Sequence, residues 1–256
     1  MTNLKHEIDI NRNIRTDLAL DNVDKKISKK KINVVKLKID KHLSKIINKK
    51  SGDYLTIEFK DVTDIDNRIK VINILKKELK SLLTISPKNK YLIIGLGNNK
   101  ITADSLGPRV IDKIVKTAYL DEIGLGFSNV AAYAAGVKGE TGFESTDIIK
   151  ALVKIYKPDV ILIIDSLVTK FLERVNKTIQ ITDTGLTPGS GVGNLKNELS
   201  KKNLHVKTIA IGVPTVVSLN NDMMVSSKDI DFLIEILSEI IAESINCTLH
   251  KKLDSK

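Results

Sequence analysis

The sequence predicts an α/β domain built on a mostly parallel sheet. Strand-length apolar runs alternate with helical periods along most of the chain, the pattern of a sheet wound with helices. Two runs, Tyr91–Ile94 and Val160–Ile164, are apolar throughout and read as buried strands. Glycine-rich segments follow strands at Gly95–Gly97, Ala135–Gly142 and Gly185–Gly193, so the loops gather at the carboxyl edge of the sheet.

In chain order, residues 1–32 are polar without a sustained hydrophobic period and read as a mobile amino-terminal arm, with Ile14–Asp21 its one patch of apolar content. Residues 33–256 read as a single domain. Ile32–Asp40 alternates as a strand with one wet face, and Tyr54–Phe59 is a second strand that pairs with it as a hairpin-like edge. Residues 61–83 carry apolar side chains at the spacing of an amphipathic helix. Tyr91–Ile94 runs into a glycine turn and a helix that starts near Ser105, which puts Asp104 at the N-cap position. The turn reads GLGNNK and lacks the third glycine of a dinucleotide fingerprint. Ser128–Gly136 is a further strand, followed by the loop Ala135–Thr146 and a helix from about Asp147 to Tyr156. The strand Val160–Ile164 ends at Asp165, and a helix through about Val175 is expected after it. A strand from Thr178 to Ile181 then meets Asp183 and a segment with glycines at 185, 189, 191 and 193, a backbone suited to close approach. A short helix near Leu195–Lys201, a strand Val206–Gly212 and an amphipathic helix Asp229–Ile245 complete the chain.

Composition narrows the function. The chain has 256 residues, 42% of them apolar, enough for a core of its own. A single cysteine, Cys247, excludes an internal disulfide framework and a multi-cysteine zinc site. Apolar runs fall short of the ~20 residues of a membrane span, and the first thirty residues contain no signal-like apolar core, so a cytoplasmic location is expected. The net charge of +10 attracts phosphates in principle. Eleven lysines lie between Lys25 and Lys50, yet that segment holds no aromatic residue on which a base could stack. A solvated basic face is the reading preferred, with DNA contact secondary.

Asp104 and Asp165 lie 61 positions apart, each expected just past a strand's carboxyl end, where they can meet over one crevice. A carboxylate pair hydrolyses peptides when one member is ionised to activate water and the other protonated to bond the carbonyl or the leaving nitrogen. Helix capping remains the alternative for Asp104. Histidines 6, 42, 205 and 250 are scattered, and neither a GxSxG elbow nor an HExxH pair occurs. Asp183-Thr184-Gly185 spells the DTG of pepsin-like proteases, but those are all-β, and here the match is taken as coincidence. No metal or cofactor is expected.

Several motifs in one order carry a resemblance. They are GLGN (95–98) with DSLGP (104–108), GVKGETG (136–142), ERVN (173–176), TIQITDTGLTPGSGVGN (178–194) and AIGVPTVV (210–217), with RTDLA (15–19) in the arm. Together they resemble the germination protease of spore-forming bacteria. The resemblance implies an atypical aspartic-type endopeptidase that degrades small acid-soluble spore proteins in the spore core, with Asp104 and Asp165 as its essential carboxylates. It implies a three-layer, phosphorylase/hydrolase-like sandwich similar to the hydrogenase maturation peptidases, assembled as a homotetramer. It also implies a zymogen that removes about residues 1–17 by cutting Asp17–Leu18, where Thr-Asp-Leu-Ala matches the acidic cleavage rule of the substrates. Lys138 and Arg174 are candidates for the cationic pocket, and Gly189 and Gly191 for backbone contacts with substrate. Ala103 and Ala135 stand where the family commonly has proline, Ser166–Lys170 replaces a smaller, alanine-rich run, and the family usually continues past the last helix. An inactive relative that binds spore proteins or DNA, and a hydrogenase-maturation-like peptidase, are the alternative readings.

Overall fold

The computed structural model describes residues 15–23, 30–86, 88–188, 198–219 and 223–254. Its frame is one sheet ordered β1-β2-β6-β7-β5-β3-β4, with β8 paired to β7. The strands are β1 (Ile32–Ile39), β2 (Gly52–Phe59), β3 (Lys90–Gly95), β4 (Asn129–Ala134), β5 (Val160–Thr169), β6 (Thr178–Thr182), β7 (Lys207–Ser218) and β8 (Met224–Val225). The β4-β3-β5-β7 portion is parallel, and β6, β2 and β1 continue it antiparallel.

The helices are α1 (Lys41–Ile47), α2 (Ile65–Leu82), α3 (Leu106–Lys113), α4 (Lys138–Thr141), α5 (Ser145–Tyr156), α6 (Lys201–Leu204) and α7 (Ile230–Leu249). Strand residues alternate between two cores, which makes the fold three layers deep. Ile57, Ile93, Leu162 and Ile211 face α2, α3 and α7. Leu92, Ile94, Ile161 and Ile163 face α5 and α6. In α2, Val71, Leu75 and Leu79 repeat on one buried stripe, and Asp64 caps the helix by accepting from the Asn67 amide at 2.9 Å.

Two stretches differ from their sequence reading. The helix α1 was not expected; Asp40 starts it by accepting from the Leu43 amide at 2.7 Å, and left-handed Asn48 stops it. The helix expected after Asp165 is absent: β5 continues to Thr169, followed by a 3-10 turn at Leu172–Arg174. The extension follows from its partner, since β7 pairs with β5 from Val160 through Thr169, across a register shift at Leu167/Val168. Leu167, Val168 and Thr169 are thereby buried in the sheet.

The arm is structured where it is described. Leu18, Ala19, Leu20 and Val23 are buried, and the last three pack with Ile39, Ile47 and Tyr54 in a third apolar cluster. Leu18, Ala19, Leu20, Asp21 and Val23 are thus packed against the fold.

Candidate active site

The carboxyl end of β3 opens the site. β5 pairs with β3 only from Val160 to Ile164, and the Leu96 amide closes that ladder on the Ile164 carbonyl at 2.8 Å. Asp165 is thus the first residue of β5 beyond its β3 neighbour. On its other side the register partner is Gly212, where a Cβ would stand 2.5 Å from the Leu167 side chain that packs over it. A strand that runs on rigidly past Asp165 delivers the carboxylate into a crevice between β3 and β7.

Asp104 arrives from the loop after β3. Gly97, at φ 116°, turns that loop back so tightly that a Cβ there would stand 2.0 Å from the Asp104 carbonyl oxygen. The Asn98 amide then donates to both the carbonyl oxygen (3.0 Å) and the carboxylate (2.9 Å) of Asp104. The 3-10 turn Thr102–Asp104 precedes α3, whose N-cap position belongs to Ser105. The helix-capping alternative for Asp104 is therefore overturned: its carboxylate faces the glycine turn and the cavity. Thr215 of β7 fixes the loop by donating to the Ala103 carbonyl at 2.6 Å.

Both carboxylates line one cavity of about 1380 Å³, together with the Gly136–Lys138 and Glu144–Thr146 segments, Lys49, Lys50 and the arm residues Arg15–Asp17. Burial pushes Asp104 up from 3.8 to about 6, with the Asn98 hydrogen bond opposing the rise and Glu140 adding to it. Asp165 is held well above the ordinary carboxylate range, first by burial, then by the charges of Asp104 and Asp17. The deeper group keeps its proton while the other ionises, the division of roles that acid–base catalysis uses. Among the described residues no set of three or more His, Cys, Asp or Glu is placed to hold a metal. The described histidines do not line the cavity.

The other predicted residues separate. Lys138 lies on the cavity wall, exposed, and is paired with Glu144 at 2.6 Å. Arg174 is buried away from the cavity and joins Asp21 (2.6 Å) and Glu58 (3.2 Å), tying the arm to β2. Gly189 and Gly191 lie outside the described residues. Asp17 lines the same cavity, donating from its amide to the Val168 carbonyl at 2.8 Å and accepting from the Val168 amide on its carboxylate at 2.9 Å, and Leu18 after it is buried.

Two contributors escaped the sequence reading. Lys49 donates to the Thr16 carbonyl at 2.7 Å, and Gln180 accepts from the Ala19 amide at 2.8 Å. Lys49 looked like one lysine in a basic run. Gln180 had a signal, because a Gln inside an otherwise buried strand must find partners.

A family model for germination proteases matches residues 4–220. The germination protease of Oceanobacillus iheyensis is 37% identical over 252 residues, covering 87% of this chain and 68% of the relative. That of Clostridium tetani is 39% identical over 265 residues, covering 82% of each. Among solved structures, a NiFe hydrogenase maturation protease from Thermococcus kodakarensis aligns with a TM-score of 0.43 at 21% identity, covering 66% of this chain and 98% of that one. With the matched region taking in the glycine turn, both carboxylates and the arm segment, the chain belongs to the germination protease family.

Proposed function

We propose that the chain is a self-processing endopeptidase in which Asp104 and Asp165 act together on a water molecule. The observation that carries this is the pair itself, two carboxylates on one cavity whose surroundings favour one ionised and one protonated member. Asp104 takes a proton from water as the water oxygen bonds to the peptide carbonyl carbon. Asp165 gives its proton to the carbonyl oxygen. As the tetrahedral intermediate collapses, the carbonyl re-forms and returns that proton to Asp165, while Asp104 delivers the other to the departing nitrogen. One water is consumed and both carboxyl groups regain their starting states.

The first substrate is the chain's own Asp17–Leu18 bond, supported by the position of Asp17 beside Asp165. The later substrates are small acid-soluble spore proteins, cut after an acidic residue by a homo-oligomer in the spore core. Family membership supports these finer statements. Mass spectrometry of the purified chain before and after incubation at mildly acidic pH, with and without such a spore protein, tests the reading. Loss of residues 1–17 and substrate fragments ending in Glu are expected, both absent in Asp104→Asn and in Asp165→Asn. Cleavage at unaltered rates in either variant refutes it.

A further inference from the structure

The arm crosses the cavity in the manner of a bound peptide. Its Thr16 carbonyl accepts a hydrogen bond from Lys49 Nζ at 2.7 Å, and its Asp17 donates from its amide to the Val168 carbonyl and accepts from the Val168 amide on its carboxylate. Gln180 straddles the Asp17–Leu18 bond, accepting from the Ala19 amide at 2.8 Å and approaching the Asp17 carbonyl with its Nε2 at 3.5 Å. The Thr16 hydroxyl folds back to accept from the Leu18 amide at 3.1 Å. Each peptide group on the two sides of that bond is thus held by a side chain of the fold or of the arm itself.

We propose that Lys49, in the connection between α1 and β2, is the residue that selects an acidic side chain on the amino side of the cut. Lys49 has this role only if the chain cuts after acidic residues as proposed above. The chemistry favours it over the other cations of the region. Lys138 is exposed and paired with Glu144, Arg174 is buried with Asp21 and Glu58, Lys50 pairs with Glu198 at 3.3 Å, and Lys170 donates to Asn22 Oδ1 at 3.3 Å and lies over the Phe171 ring. Lys49 instead has its ammonium on the arm backbone one residue before Asp17. Burial lowers its pKa, and the charge that opposes this most strongly is the Asp17 carboxylate, followed by Asp21. An ammonium lodged in such surroundings favours a peptide that brings a negative charge, and disfavours one that brings none or brings a positive charge. The Val168 amide donates to the Asp17 carboxylate at 2.9 Å, which fixes its position without contributing net charge.

The experiment compares the full chain with Lys49→Met, Lys49→Arg and Lys170→Met, using peptides with Glu, Gln or Lys before the cut. A charge-assisted contact corresponds to roughly a tenfold effect or more, so the unaltered chain prefers Glu over Gln by at least about tenfold. Lys49→Met brings the ratio to within about twofold of one, whereas Lys49→Arg and Lys170→Met preserve it. An unchanged ratio in Lys49→Met, or its loss in Lys170→Met alone, overturns the assignment.

If no chain cuts any peptide, the peptidase reading fails and Lys49 is judged separately, by hydrogen exchange in an Asp165→Asn background. Asp17→Asn and Lys49→Met are then each expected to lower protection of the Asp17 and Ala19 amides by about tenfold, and the double variant no further. Losses that multiply in the double variant overturn the pairing.

Discussion

Replacing Asp104 by Asn should stabilise the protein at neutral pH while it abolishes cleavage. Burial moves the Asp104 pKa from 3.8 to about 6, so in the window between those values the folded chain holds a proton that the unfolded chain has released. Stability therefore falls as pH rises through the window, opposite to the usual behaviour of a salt-bridged aspartate. Each pKa unit corresponds to about 1.4 kcal/mol, which sets the full penalty above pH 6 at about 3 kcal/mol. Asparagine is isosteric, carries no charge, and still offers an oxygen to the Asn98 amide that lies 2.9 Å from the Asp104 carboxylate. The variant escapes the penalty, and for a domain of this size its melting temperature rises by roughly 6–12 °C. Thermal unfolding at pH 7.5 and at pH 3.5 is the assay: the advantage of the variant should be present in the first and vanish in the second. Equal melting temperatures at both pH values would mean that the carboxylate is solvated, and the catalytic division between the two aspartates would lose its basis.

Cleavage should rise with pH as Asp104 ionises around 6 and decline at higher pH as Asp165, held protonated by burial and by Asp104, finally releases its proton; a single-limbed profile in a steady-state assay argues against a pair. Arg174→Met should cost about 3–5 kcal/mol in urea denaturation, because it strands Asp21 and Glu58 in the interior without their cation; a cost below about 1 kcal/mol contradicts that account. Gly97→Ala places a Cβ 2.0 Å from the Asp104 carbonyl oxygen at a φ of 116°, a conformation that costs a side chain about 1–3 kcal/mol. Its expected signature is a fall in kcat larger than the loss of stability explains, and an unaltered kcat would show that the turn does not position Asp104.

Local patterns made much of the frame legible. The apolar runs of β3 and the start of β5, and the stripe on α2, state their periods within a few residues. The two aspartates proposed as catalytic stand out in the sequence because each follows such a run. The end of β5 could not be read locally: Asp165 looked terminal because it is charged, but strand length was decided by pairing with β7, more than forty residues away. The same limit applies to Asp104, whose N-cap position was a reasonable local reading until the 3-10 turn moved that role to Ser105. Lys49 was hidden for a different reason. Nothing in a lysine-rich stretch distinguishes a solvated ammonium from one that donates to the backbone of residue 16, because the difference lies in what the arm brings to it.

The burial of residues 18–23 bears on what happens after a cut at Asp17–Leu18. The piece on the carboxyl side is held by the third apolar cluster and by the Asp21–Arg174 pair, so breaking one peptide bond does not release it. A segment tethered this closely faces its own cleft at an effective concentration of millimolar order, and a free peptide entering from solution competes with it for the ground beside Gln180. Hydrolysis of the arm and vacating of the cleft are thus two separate events. The second requires Leu18 and Ala19 to leave sites where both are fully buried, and under the proposed function it is this step that would turn a chain able to cut itself once into one able to cut many others.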